Sequence, residues 1–124
     1  MKASWGTSEA AISSREQLEA IVETIRASGQ PTMVFLEAED GTVLVFGVGH
    51  EESVLTFVES DGTSFHSLGN PEREGFLLFL CREEIEEFMT EMAVPERIAL
   101  HAAEQFLTAP HRPSGVTWEP DWGE

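Results

Sequence analysis

Positive charge is scarce in this chain. Its 124 residues carry seven Lys and Arg against 23 Asp and Glu. A nucleic-acid binder needs a basic footprint on phosphates, so direct nucleic-acid binding is excluded. Docking on an anionic membrane surface is excluded on the same ground. Cysteine is almost missing: Cys81 stands alone, and no intrachain disulfide can form. No apolar run approaches the ~20 residues of a membrane span. The opening "MKASWGTSEAA" has one Lys and no apolar h-region, so a signal peptide is not expected. Repeats and low-complexity tracts are also missing. These absences fit a cytoplasmic protein that works without membrane or nucleic-acid contact.

What is present is acid, unevenly spread. The formal charge is −16, and residues 31–92 hold 14 Asp and Glu against Arg73 and Arg82, which places −12 in the middle half. Such a field steers a basic protein partner, although solubility alone would also use it. The apolar fraction of 41% is that of a globular chain, and the length suits one domain. Residues 1–12 are small, polar and Ala/Ser-rich and read as a loose arm, whose Trp5 could dock elsewhere; residues 13–124 read as the domain.

The first element is a helix over "SREQLEAIVETIRASG". Ser13 and Glu16 have capping-box spacing, and Leu18, Ile21, Val22 and Ile25 form one apolar stripe. Gly29 suits the left-handed residue after a helix, and Pro31 prevents continuation. The period then changes. "TMVFLEAE", "TVLVFGVG", "SVLTFVES" and "TSFHSL" read as strands, with Asp40–Gly41 and Asp61–Gly62 as hairpin turns. "GNPEREG" reads as a loop and "FLLFLC" as a short buried strand. Residues 82–94 have helical spacing at Ile85, Phe88, Met89 and Met92, yet a strand paired to "FLLFLC" is the alternative. Pro95 suits a first helical position, opening a helix whose Ala99, Ala102, Ala103 and Phe106 share one side. The class is therefore α+β: an antiparallel sheet of about five to six strands, with the N-terminal and Ala-rich C-terminal helices on one face and a short terminal strand.

Candidate chemistry fails residue by residue. "GVGHEE" has Glu52 where a phosphate loop needs its third Gly, so Gly47 reads as a close-packing strand glycine. "HEESV" has Val54 where a zinc helix needs its second His. His50, His66, His101 and His111 lie far apart in sequence. Cys81 ends an apolar strand and reads as a small hydrophobe. The pairs Glu51–Glu52, Glu83–Glu84 and Glu86–Glu87 are adjacent in sequence, whereas catalytic carboxylates come from separate elements in a cleft. No catalytic residue, cofactor or metal ligand is therefore assigned.

The closing stretch "IEEFMTEMAVPERIALHAAEQFLTAPHRPSGVTW" resembles the C-terminal half of a bacterial immunity-protein family, the first-numbered family among the partners of polymorphic toxins. Glu87–Phe88, Val94–Pro95–Glu96, Phe106, Arg112–Pro113 and Trp118 match its pattern in order and spacing. "TVLVFGVGHEESVLTFVESDGTSFHSLGNP" is similar to its central strands, so the resemblance covers roughly residues 31–118. "TAPHRP" departs from it, with Ala109–Pro110 where the family commonly has Gly. The resemblance strengthens the strand reading of residues 85–91. It implies an α+β inhibitor, not an enzyme, that binds a cognate toxin, commonly a nucleic-acid deaminase or nuclease. The free protein would be a monomer and the complex a heterodimer. An acidic binding module or complex subunit unrelated to toxins is the other reading of the same residues.

Two further expectations concern surfaces. Pro110 and Pro113 end the last helix and hold the chain extended, so that Val116 and Trp118 return to the core. If the strands form a simple meander, alternate turns share an end of the sheet. Glu39, Asp40, Asp61, Glu83 and Glu84 would then face a toxin's basic cleft together, with Asp121 and Trp122 of the tail beside them.

Overall fold

In a computed structural model that describes residues 1–121, eleven strands and two α-helices form an α+β architecture. Helix α1 (Arg15–Ser28) is capped by Ser14, whose side chain accepts from the Gln17 backbone N–H, while the Gln17 amide oxygen accepts from the Ser14 N–H. The box is thus one residue downstream of the expected Ser13–Glu16. Gln17 explains the shift, because its oxygen also accepts from the Ser13 N–H at 2.6 Å and so satisfies two donors at once. Gly29 closes the helix at φ +75°, a conformation that costs a Cβ-bearing residue about 1–2 kcal/mol.

Among the described residues the main sheet has nine strands, more than the five or six expected. Its path runs β11 (Trp118–Pro120), β7 (Ser64–Ser67), β6 (Leu55–Val58), β4 (Val43–Val48), β3 (Thr32–Glu37), β1 (Lys2–Trp5), β2 (Ser8–Ala11). Strands β1 and β2 occupy the stretch expected to be a loose arm. They form a hairpin, and β1 pairs antiparallel along β3 with Ala3 opposite Leu36. Ala3 is fully buried; its small side chain lets the edge close over the core, a tertiary gain that local composition does not signal. Trp5 packs against that core.

The meander holds from β3 to β7 and then breaks. Among the described residues strand β8 (Phe76–Cys81) does not pair with β7; it pairs parallel to β3 at Thr32↔Leu80, and β9 (Glu84–Met89) pairs antiparallel with β8 alone. Residues 84–89 are a strand despite their helical period, and a 3-10 turn over Thr90–Met92 follows. Tertiary pairing overrides a weak local preference here. Strands β5 (Glu52–Ser53) and β10 (Val94–Pro95) make a separate two-stranded ribbon. Pro95 is therefore the residue before helix α2 (Glu96–Thr108), not its first.

Two apolar layers result. Leu18, Ile21, Val22 and Ile25 of α1 and Ala99, Ala102, Ala103 and Phe106 of α2 share one buried cluster with Val34, Leu36, Leu44, Phe46, Leu55 and Phe57. Both helices thus cover one sheet face, as the alanine spacing predicts. On the opposite face Met33, Val45 and Val54 bury Phe79 of β8, with Leu77, Phe88 and Met92 around it. The β8–β9 hairpin is thus a third layer, and Gly47 in the central strand leaves the space that Phe79 fills.

Candidate functional site

The turns of the two "DG" hairpins are built alike. Asp40 Oδ1 accepts from the Thr42 N–H at 2.9 Å, and Asp61 Oδ1 accepts from the Thr63 N–H at 2.8 Å. Gly41 and Gly62 follow at φ +91° and +92°, the left-handed position of a longer hairpin loop. The backbone donors hold both aspartates below their ordinary range, so both carry charge at neutral pH. The pairs Val43↔Glu37 and Val43↔Val58 set these turns side by side at one end of the sheet.

Asp121 comes to the same end. Its backbone N–H donates to Ser64 O at 3.0 Å, and its carboxylate accepts from the Ser64 hydroxyl and contacts His66 Nδ1. Glu39, Asp40, Asp61 and Asp121 are therefore brought together. Glu83 and Glu84 are not. The β8–β9 turn at Arg82–Glu83 sits over the middle of β3, with the Arg82 guanidinium 4.1 Å from the Phe35 ring centroid. The crossed strand order is the reason, since β8 leaves the meander to pair beside Thr32. Trp122 lies outside the described residues.

The sequence also concealed a counter-charge at the turn end. Arg112 stacks over Phe65 at 4.2 Å, and with His111 it lines a hollow beside Asp40 and Glu59. The proline hook thus partly offsets the carboxylates there. It is pinned by Trp118, whose indole N–H donates to Pro113 O at 2.9 Å and whose ring lies 6.1 Å from Phe57. Trp118 is half-buried against the helix-side core.

The other end is partly neutralised: among the described residues Glu51, Glu72 and Glu74 form no salt bridge, while two other carboxylates are paired. Arg73 pairs with Glu52 at 2.7 Å, and Glu96 accepts from Gly49 N–H and pairs with Arg26. The four histidines make separate contacts: His50 with Leu78 O, His66 with Glu119 and Asp121, His101 with Gln105, and His111 near Asp40. Burial, reinforced by Glu86, pushes the Cys81 thiol up to about 11, which keeps it protonated and a poor nucleophile.

The β8–β9 hairpin departs most from the sequence reading. "FLLFLC" is not wholly buried: only Phe79 is, while Phe76, Leu78, Ile85 and Met89 are exposed large apolar side chains. Alternation across the paired register was the available signal, and the unbroken apolar run masked it.

Residues 6–120 match the family model for Immunity protein Imm1. The chain belongs to the Imm1 family. The match runs from the β1–β2 turn through the last strand, so both helices, the third-layer hairpin and the proline hook are parts of an Imm1 domain. The family is one of immunity proteins, and the partner it implies is a toxin. Comparison with curated proteins finds no match. No helix of the described residues is long and apolar enough to cross a membrane.

Proposed function

We propose that this chain protects the cell that makes it by binding a cognate toxin and covering its active site, one inhibitor per toxin, in the cytoplasm. The toxin acts on nucleic acid, as a deaminase or nuclease does, and carries a basic cleft for phosphate. The observation that carries this reading is an Imm1 domain with a net charge of −16. Carboxylates complement a phosphate-binding cleft in sign and shape of charge, and complementarity raises association above the unsteered ~10⁵–10⁶ M⁻¹s⁻¹. In this reading Glu39, Asp40, Asp61 and Asp121, with Glu83 and Glu84 on the hairpin, steer the encounter. The free chain is a monomer and the complex a heterodimer.

Co-expression tests the reading. The gene immediately upstream should encode a toxin domain, and cells producing that domain should survive when the chain is present and die without it. Persistent killing in cells that contain folded, abundant chain would refute it.

A further inference from the structure

We propose that the outward face of the β8–β9 hairpin is the anchoring surface for the toxin, so this inference rests on the function proposed above. The pairs Phe76↔Met89, Leu78↔Glu87 and Leu80↔Ile85 place these side chains on one face of the ribbon. Phe76 is 59% exposed, Leu78 48%, Ile85 53% and Met89 49%. Four large apolar residues in one contiguous patch are more than a scattering of surface hydrophobics. The ribbon cannot hide them by rotating. Its inward face is committed, with Phe79 fully buried against β4 and Leu77 and Phe88 packed beside it. A shift by one residue would exchange the faces and expose Phe79.

The surroundings of the patch select its occupant. Glu87 lies on the outward face opposite Leu78 and Glu83 sits in the turn at its end; among the described residues neither forms a salt bridge. The nearby cations are engaged elsewhere, Arg82 over Phe35 and Arg73 with Glu52. An apolar face edged by unpaired carboxylates is the anatomy of a protein interface whose partner supplies an apolar knob flanked by Lys or Arg. A second copy of this chain would oppose rim to rim with like charge, and an anionic lipid surface would be repelled as well. The toxin with its basic cleft is the partner that fits. The rim acts on arrival and the apolar face on residence, because truncating central anchors mainly speeds dissociation.

The test uses the full chain and the toxin domain encoded immediately upstream. Phe76→Ala with Ile85→Ala should raise Kd at least about 30-fold, mostly through the dissociation rate. His101→Ala, on the helix layer opposite the hairpin, should leave Kd unchanged. The unfolding midpoint of the double variant is measured alongside. Should it fall with folding impaired, hydrogen exchange of the unmodified complex decides instead, with slowed exchange across residues 76–89 expected on binding. Unchanged Kd in a folded double variant, or no protection of residues 76–89, overturns the anchoring surface while leaving toxin binding intact. No binding by the unmodified chain overturns the proposed function together with it. A free dimer dissolved by the double variant would assign the patch to self-association and also overturn the proposal.

Discussion

Phe79 occupies the space where Gly47 has no side chain. A Cβ on Gly47 would overlap three carbons of the Phe79 ring, so the third-layer hairpin can dock on the central strand only because residue 47 is glycine. Gly47 does not have positive φ, which leaves close approach rather than backbone conformation as its requirement.

Gly47→Ala should therefore destabilise the protein by about 1–3 kcal/mol through overpacking, and Phe79→Ala by about 3–5 kcal/mol through a cavity. The two should not add. In the Phe79→Ala background the Gly47→Ala penalty should nearly vanish, because its collision partner is gone. Urea unfolding of the four chains measures the coupling, and additive penalties would show that the ring is not what excludes a methyl group.

The end of the chain gives a second case. Trp118 joins the proline hook to the core through the Pro113 carbonyl and the Phe57 ring. Trp118→Ala should cost about 2–4 kcal/mol, and Trp118→Phe, which keeps a ring but loses the donor, about 1 kcal/mol. A loss under about 0.5 kcal/mol for Trp118→Ala, the size of a surface change, would place the ring outside the packing.

Acid stability should report the twin turns. Asp40 and Asp61 lie below the ordinary aspartate range when folded, chiefly because backbone N–H groups of Thr42 and Thr63 donate to their ionised forms. A depressed folded pKa means stability that is present above the unfolded value and lost as pH falls through the folded one. Asp40→Ala with Asp61→Ala should thus lower the urea midpoint at pH 7 and lower it less as pH drops below about 4. A difference from the parent that stays constant down to pH 2 would contradict a charge-dependent turn.

The same carboxylates should set encounter speed. Glu39→Lys with Asp40→Lys should slow association with the upstream-encoded toxin domain and flatten its salt dependence, with the dissociation rate little changed. Stopped-flow mixing at low and high salt measures both rates. Equal association rates for variant and parent at low salt would remove this end of the sheet from the steering role.

Local chemistry made much of this fold legible. Helix α1, the twin Asp-Gly turns, the apolar strand around Phe46 and the alanine face of α2 each follow from short-range period and turn residues. The β1–β2 hairpin was hidden because Ala3, Ala10 and Ala11 are too small to mark an apolar face, and pairing along β3 is what fixes β1 as a strand. The cap shifted because the tandem Ser13–Ser14 offers two overlapping boxes, and Gln17 decides between them. The departure of β8 to Thr32 is a pairing across 48 positions (80 − 32), which no local pattern encodes. It separated Glu83 and Glu84 from the turn carboxylates and exposed Phe76 and Leu78. The acidic character of the surface was thus readable from sequence, whereas the placement of its apolar patch required the strand order.

Neutralisation by occlusion makes one quantitative demand, that inhibitor be consumed one for one. Titrating a fixed amount of the upstream-encoded toxin domain with this chain, at concentrations far above Kd, should reduce toxin activity linearly to a break at one equivalent. The residual activity at each point should not change with incubation time. Complete loss of toxin activity at a small fraction of an equivalent, progressing with time, would show turnover and contradict the account.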